Sequence, residues 1–185
     1  MNKKLLAASL MIWVGAHAQE PPPHAIAQSN AATRMFMELC IASTGDAETL
    51  RELAGHRHLR YADGSFSQKV LRGKPGEVWS VSSSVGDFAV ISQPDNLCSV
   101  WARRADAATS TAQFKQIVLG TQRSGLSLKV LEDRDVEGQD GSYRYLSYLL
   151  SKTGQHSGLY VSAMVSASPI AEVQVRLRLV SAKVE

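Results

Sequence analysis

Apolar and polar positions alternate along the second half of the chain, most regularly at 172–181. One alternating set is apolar: Val173, Val175, Leu177 and Leu179. The other set is polar: Glu172, Gln174, Arg176 and Arg178. Because successive side chains of a strand point to opposite faces, this pattern predicts a strand with one buried and one wet face, which is typical of an antiparallel sheet.

Other stretches with the same period predict further strands, separated by turns rich in Gly, Asp and Asn. They lie at 77–83, 88–92, 98–103, 126–132, 143–150 and 159–166. Helical spacing of apolar residues predicts three helices, at 31–43, 46–55 and 110–122. Asp46 is expected to cap the second helix, and Ser110 the third. Residues 56–76 follow neither period and are predicted to form a loop.

The order of these elements predicts an α+β domain at 31–185. We expect a twisted antiparallel sheet of about seven strands, with the N-terminal helices and the central helix packed on one face. The sequence contains no internal repeat, and no linker divides this region. The length is that of a single domain.

The first residues of the sequence indicate export. Lys3 and Lys4 precede an apolar run at 5–15, and an A-x-A cleavage site ends at Ala18. The apolar run is about half of the roughly 20 residues that a membrane-spanning helix needs. We therefore expect a signal peptide at 1–18 that is cleaved after Ala18, a periplasmic location, and no membrane anchor in the mature form.

The segment after the cleavage site has three consecutive prolines and no periodic pattern, which predicts a flexible Pro-rich arm at 19–30. Loss of the signal lysines reduces the formal charge from +3 to about +1. A nucleic-acid surface would need a strongly basic stripe. We therefore expect no nucleic-acid partner.

The chain has two cysteines, Cys40 and Cys98. In an oxidising compartment such a pair is most simply a disulfide. Closing a loop of that length stabilises a fold by roughly 4 kcal/mol on the chain-entropy account. The alternative, a cysteine nucleophile, would need an oriented histidine and would oxidise outside the cytosol.

An acidic cluster lies in the stretch EDRDVEGQDGSYR at 132–144; its members are Glu132, Asp133, Asp135, Glu137 and Asp140. A calcium loop starting at Asp133 would need a chelating glutamate at its twelfth position, where the chain has Arg144. A pair of catalytic carboxylates would need a rigid, partly desolvated seat, which a Gly-rich hairpin tip does not provide. The composition therefore favours a solvated β-turn, with a loop that offers negative charge to a basic protein surface as the alternative.

Two histidines, His56 and His58, could share one face of a strand and bind zinc. Asp63 or His24 could supply a third ligand. However, no cysteine or acidic residue stands at an established zinc spacing, so surface histidines are favoured. The sequence also contains no G-x-S-x-G, P-loop or G-x-G-x-x-G motif. We therefore expect no catalytic residue, no metal site and no cofactor.

The run WARR, which contains Trp101, Arg103 and Arg104, places aromatic and guanidinium groups together at the end of a predicted strand. This combination is enriched at binding hot spots. Burial in the core is the alternative for Trp101, since indoles commonly fill cores when their N–H finds a partner.

Several short motifs relate the chain to a known group: MELC on the first predicted helix, HL in the loop, and EVWSV and LCSVWA on two predicted strands. From Met35 onward the chain resembles a small exported proteobacterial family of largely uncharacterised proteins and lipoproteins. Some members look like immunity proteins, which are periplasmic inhibitors that protect a cell from antibacterial effectors. This chain lacks the lipobox cysteine of the lipoprotein members, which implies a freely diffusing form.

We therefore expect a non-catalytic periplasmic inhibitor, an immunity protein whose protein partner is a secreted effector toxin of the peptidoglycan hydrolase or phospholipase class. The expected contact residues are Asp133, Asp135, Glu137, Asp140, Trp101, Arg103 and Arg104. The acidic cluster would enter or rim the partner's cleft, and the arginines would steer docking. A small envelope enzyme or a ligand-carrying envelope protein of unknown substrate is the alternative.

Overall fold

The fold is built on one antiparallel sheet. The computed structural model describes residues 22–122, 126–152 and 154–183. Within these residues the strands are β1 Arg60–Tyr61, β2 Glu77–Ser83, β3 Gly86–Gln93, β4 Leu97–Ala102, β5 Leu126–Gly138, β6 Gly141–Lys152, β7 Ser157–Val165 and β8 Val175–Lys183. Their order across the sheet is β1-β2-β3-β4-β8-β7-β6-β5. Two consecutive four-stranded meanders therefore join along β4 and β8, and the predicted α+β class is confirmed.

Helices cover the sheet unequally. They are α1 Pro23–Met35, continued by a π-helical segment Phe36–Ile41, then α2 Ala47–His56, α3 Gly64–Leu71 and α4 Ala107–Gly120. Buried residues of α1, the π-helical segment, α2 and α4 belong to the main core on one face of the sheet. Helix α3 packs instead on the other face, over a small cluster of Val78, Ala89 and Ile91. We call the first face the helix face and the second the open face.

The helix face holds the main hydrophobic core. Phe114 of α4 lies between Phe36 and Tyr148, with ring centroids 6.2 Å and 6.0 Å away. Three of the four apolar side chains predicted to point inward from the last strand are buried here too: Val175, Leu177 and Leu179 are at most 1% exposed. The prediction is wrong for Val173, which precedes β8 and is only half-buried. Burial of this apolar surface is the main stabilising term of the fold. No helix among the described residues is long and apolar enough to cross a membrane.

The first helix begins earlier than the sequence predicted. Pro23 opens α1, because a proline at the first helical position loses no hydrogen bond. The hydroxyl of the buried Ser29 donates to the backbone carbonyl of Asp106, at 3.0 Å, which fixes α1 against the start of α4. The prediction of a flexible arm at 19–30 is therefore wrong from residue 23 onward. The predicted signal peptide at 1–18 lies outside the described residues.

The cap predicted for the central helix is also wrong. Asp106 caps α4 by accepting the Thr109 backbone N–H at 2.7 Å. Ser110, the predicted cap, is buried one turn inside the helix and donates to the Ser29 hydroxyl at 2.9 Å. Its polar group is thus satisfied between two helices. The cap predicted for α2 is confirmed, since Asp46 accepts the Thr49 backbone N–H at 2.9 Å.

The region predicted as a loop, 56–76, contains both β1 and α3. Asp63 caps α3 by accepting the Phe66 backbone N–H at 2.9 Å. Helix α3 has only eight residues and no fully buried side chain. Such a short helix depends on tertiary contacts more than on its own propensity, here through Val70 and Leu71 against the open face.

A disulfide joins the helix layer to the centre of the sheet. Cys40 of the π-helical segment and Cys98 of β4 are both fully buried, with Cα atoms 5.3 Å apart. The bond closes a loop of 58 residues. The predicted pairing is therefore present, and it fixes the segment after α1 over the start of β4.

Replacing both cysteines (Cys40→Ala with Cys98→Ala) should lower the free energy of unfolding by about 4 kcal/mol, because the unfolded chain regains the entropy that the loop removes. Urea denaturation of the oxidised proteins measures the change. Dithiothreitol should destabilise the original protein and leave the double variant unaffected. Equal urea midpoints for the two oxidised proteins would contradict this assignment.

Candidate partner-binding faces

The acidic cluster lies on a strand and not in a turn. Strand β5 continues to Gly138, and only Gln139 and Asp140 form the turn to β6. The prediction of a hairpin tip is therefore wrong for all of the cluster except Asp140. The long strand β5 is the edge of the sheet, where charged side chains protect exposed backbone groups from pairing with another chain.

Most charge in the cluster is balanced within the molecule. Asp133 contacts Lys115 at 2.7 Å and Arg144 at 2.5 Å, and Arg144 also contacts Asp135 at 3.0 Å. The hydrogen bond from Lys115, followed by that from Arg144, lowers the pKa of the Asp133 carboxyl against the opposing effect of burial. Glu132 is paired in the same way, with Arg134 at 2.5 Å.

Two acidic residues near the end of this hairpin have no such partner. Glu137 and Asp140 form no ion pair with any other residue that the structure describes, and both are exposed. The unpaired negative charge of the cluster therefore lies near the β5–β6 turn and not along the whole cluster.

The open face carries Trp101 at its centre. Strand pairing places Trp101 between Ala89 of β3 and Arg176 of β8. The Arg176 guanidinium lies 4.5 Å from the centroid of the indole ring, a cation–π contact worth about 0.5–2 kcal/mol depending on its desolvation. Aromatic and guanidinium groups thus meet here, although the arginine is not one of those in WARR.

A hydrogen bond also fixes the orientation of the indole ring. Its Nε1–H donates to the Ser99 hydroxyl at 3.0 Å, and Ser99 in turn donates to the backbone carbonyl of Leu177 at 2.9 Å. Both Ser99 and Leu177 belong to the paired strands β4 and β8. Because the polar edge of the ring is already satisfied by rigid strands, Trp101 presents its ring without further ordering.

Arg176 is half-buried and forms no ion pair with another described residue. Burial lowers the pKa of its guanidinium. The charges of Glu172 and Asp140 oppose this effect, while Arg72 adds to it. An arginine stays charged at neutral pH even so, and the open face therefore holds a partly desolvated cation without a bonded carboxylate.

Two pockets flank Trp101 on the open face. The larger, of about 590 Å³, lies beside α3 and includes Phe66, Val70 and Arg103. The smaller, of about 260 Å³, lies toward β6 and β7 and includes Arg176 and Arg178. An ion pair between Lys69 and Glu172, 2.5 Å apart, connects α3 to the segment before β8.

The residues of the WARR run do not share one backbone conformation or one role. Arg104 adopts a left-handed backbone conformation with φ of 60°, and its backbone N–H donates to the Gln174 side chain at 2.6 Å. Gln174 also donates to the carbonyls of Ser168 and Ala171, at 3.1 Å and 2.9 Å. Predicted to point outward, Gln174 is buried, and it connects the segment before β8 to the end of β4.

The predicted contact residues do not form one surface. Trp101 belongs to the open face, and Arg103 lines a pocket there. The pairing of Asp133 with the buried Leu146 places Asp133 on the helix face. Asp135 shares that side of β5 because it lies two residues further along the strand. A single partner could touch both groups only by wrapping around the β5 edge.

Some candidate contact residues were missed. Lys69 and Arg72 fall in the region predicted as loop, and for Tyr145 the sequence predicts only a place on a strand. The Tyr145 and Tyr160 hydroxyls lie 2.5 Å apart. Burial first, and then the hydrogen bond with Tyr160, raises the pKa of Tyr145 to about 12. Outward alternation in the last strand was a usable signal for Arg176, but nothing local indicated that it would face Trp101.

The histidines considered as zinc ligands lie on the surface. His56 ends α2, and His58 follows it in a left-handed conformation with φ of 55°. Across residues 22–122, 126–152 and 154–183, no group of three or more His, Cys, Asp or Glu side chains is arranged to hold a metal ion.

No protein-family model matches the chain, and no curated protein matches its sequence. The resemblance to the exported proteobacterial family therefore rests on the short motifs of the sequence. Inferences about function rest on those motifs and on the geometry of the two faces.

Replacing Asp133 with Asn should make the protein less sensitive to acid. A carboxyl whose pKa is lowered by folding stabilises the protein above its ordinary pKa near 3.8, and that stability is lost as the pH falls further. We expect the free energy of unfolding to fall less between pH 5 and about pH 2.5 in Asp133→Asn than in the original protein. Urea denaturation at each pH measures it, with Glu137→Gln as the unpaired control. An identical acid dependence in all three proteins would contradict the ion-pair assignment.

Proposed function

We propose that the protein is a non-catalytic exported inhibitor that binds another protein through the open face. The observation that carries the proposal is the stack of Trp101 and Arg176 at the centre of that face. Tryptophan and arginine are the residues most enriched at hot spots, where a few central side chains supply most of the binding energy. The stack is prearranged by Ser99, which reduces the entropy lost on binding.

The charges around Trp101 fit a partner with an acidic surface. Lys74, Arg176 and Arg178 line the smaller pocket beside the ring, and its described lining has no acidic residue. In the larger pocket Lys69, Arg72 and Arg103 are balanced by acidic residues. Charged groups at the rim of an interface increase the rate of association and select the partner. A carboxylate from the partner placed near Arg176 would supply the ion pair that the described part of the chain does not provide.

The β5–β6 turn would form a second contact at one side of the interface. Asp140 and Arg176 line one pocket of about 260 Å³, so the turn adjoins the open face. Glu137 lies two residues beyond Asp135, on the side of β5 that Asp133 and Asp135 occupy, and has no ion-pair partner among the described residues. In this proposal Asp140 rims the partner's cleft beside the open face and Glu137 adds unpaired negative charge at the β5 edge, whereas Asp133 and Asp135 are held by Lys115 and Arg144.

The immunity-protein class is proposed from the sequence features. The leader-like first residues support export, and the Cys40–Cys98 disulfide is of the kind that persists in an oxidising compartment. The motif resemblance points to inhibitors of secreted antibacterial effectors. We therefore propose a peptidoglycan hydrolase or phospholipase as the class of partner.

A ligand-carrying envelope protein is the second candidate function. The larger pocket beside Trp101 measures about 590 Å³, a size common for small-molecule sites. Its lining combines the apolar side chains of Phe66, Val70 and Phe88 with charged groups. A small molecule that copurifies with the protein and occupies this pocket would favour this function over inhibition.

Replacing Trp101 with Ala should weaken partner binding by about 30-fold or more, as expected for a central hot spot. The original chain and the variant, each immobilised, are exposed to periplasmic extract of the producing bacterium, and captured proteins are identified by mass spectrometry. A protein retained only by the original chain is purified, and its hydrolysis of peptidoglycan or phospholipid is measured with added chain. Leu119→Ala, which removes an exposed apolar side chain from α4, is the control and should inhibit normally.

Two results would overturn the inhibitor proposal. One is that no captured enzyme loses activity when the chain is added. The other is that the purified chain itself hydrolyses peptidoglycan, phospholipid or peptide, and that a single substitution abolishes this turnover.

Reversing the two unpaired charges at the hairpin end (Glu137→Lys with Asp140→Lys) should weaken the same binding by about tenfold, because charge complementarity at the rim is lost. The rate of association should account for most of the change. Biolayer interferometry with the captured partner measures both rate constants. Neither replaced residue forms an ion pair among the described residues, so circular dichroism should show an unchanged fold. Unchanged affinity would restrict the interface to the surroundings of Trp101.

A further inference from the structure

The smaller pocket beside Trp101 differs from its neighbours in its charge. Lys74, Arg176 and Arg178 line it, and its described lining contains no acidic residue. In the larger pocket Lys69, Arg72 and Arg103 are matched by an equal number of acidic residues, which are Asp63, Asp87 and Glu172. Positive charge is therefore left unbalanced only in the smaller of these two pockets.

Apolar and polar side chains share the lining of this pocket. Val70 of α3, Ile91 of β3, Leu97 and Trp101 of β4, and Met164 of β7 contribute the apolar part, and Gln93, Ser99 and Ser162 add polar groups. Tyr145 also lines it, with its hydroxyl 2.5 Å from that of Tyr160. A tyrosine hydroxyl is protonated at neutral pH, so one of this pair can donate to the other or to a bound anion. The site thus combines a ring of cationic and hydroxyl donors with a surface suited to hydrocarbon.

We propose that this pocket binds a small amphipathic anion, a carboxylate or a phosphate carried on a short apolar chain. The guanidinium groups of Arg176 and Arg178 bind the anionic oxygens, since arginine matches carboxylate and phosphate geometry with paired N–H donors. The apolar chain lies against Trp101 and Met164. With a volume of about 260 Å³, the pocket suits one such group and not an extended polymer.

The rigidity of the pocket supports this proposal. Trp101 is fixed by Ser99, and Arg176 is held over the indole, 4.5 Å from its centroid. Binding an anion would therefore require little rearrangement, which limits the entropic cost of association. The proposal concerns a small ligand of the isolated chain, and it holds whether or not the open face also covers a protein.

NMR titration of the ¹⁵N-labelled mature protein tests it. Hexanoate and hexyl phosphate are the anionic probes, and hexanol is the neutral probe of the same chain length. We expect both anions to shift the indole resonance of Trp101 in a saturable manner. The affinity for hexanol should be at least about tenfold lower, because hexanol lacks the charge. The better of the two anions identifies whether the pocket prefers a carboxylate or a phosphate.

Matched variants locate the binding. Arg178→Gln should lower the affinity for the tighter-binding anion by about tenfold. Lys74→Gln should also lower that affinity. Arg34→Gln removes one positive charge from α1 on the helix face and should leave the affinity unchanged. Both pocket residues are exposed, so these substitutions leave the core intact.

Three outcomes would overturn the proposal: no saturable shift with either anion, equal affinity for hexanol, or equal weakening by Arg34→Gln and Arg178→Gln. Equal affinity for hexanol would indicate binding to an apolar surface, and equal weakening by the two variants would indicate general charge attraction. None of these outcomes bears on inhibition of a protein partner, which is measured separately with Trp101→Ala.

Discussion

The pairing of β4 with β8 is the constraint on which the rest of the structure depends. Each of the two meanders pairs strands that are neighbours in sequence, and only the β4–β8 ladder joins them among the described residues. Cys98 and Trp101 lie three positions apart on β4 and therefore point to opposite faces. On one face, the disulfide of Cys98 attaches β4 to the helix layer. On the other face, the β4–β8 register places Trp101 beside Arg176 and so forms the candidate site. A shift of one residue would exchange the two faces and destroy both arrangements.

Local patterns predicted every described strand except the two-residue β1, because short runs rich in β-branched and aromatic residues between turn residues mark strands even where both faces are buried. Strand β2 matches its predicted bounds of 77–83, and the alternation predicted for the last strand holds from Val175 onward. It fails before the strand begins, where Val173 is half-buried and Gln174 is buried. The misses have a common physical cause, which is stabilisation by distant residues. Helix α1 is fixed by the Ser29 contact to Asp106, and α3 by contacts of Val70 and Leu71 with the open face. Nothing in residues 23–30 or 64–71 alone indicates those partners.

The sequence predicted which types of residue form the candidate site, but not how they are arranged. A two-residue turn at 139–140 sets Asp135 opposite Arg144, and with that register the sequence could have shown that the acidic cluster neutralises itself. From the sequence alone, Arg144 stands out only as a residue that does not fit a calcium loop. The meeting of Trp101 with Arg176 could not be predicted, because it requires strands about 75 residues apart in sequence to become neighbours, and such pairings are specified by the whole sheet.

Arg176 is the charged group of the open face that the fold itself leaves least compensated. A half-buried cation loses part of its hydration, and replacing such a charge with a well-packed apolar residue is often neutral or stabilising. The main core lies on the other face and does not include this residue. Natural proteins keep arrangements that cost stability mainly where function needs them. The contact with Trp101 offsets part of the lost hydration of Arg176, but the guanidinium remains partly desolvated and no described residue bonds it with a carboxylate. A protein surface over Trp101 and a small anion in the adjacent pocket would each supply that negative charge, so the same guanidinium accounts for affinity in both proposals.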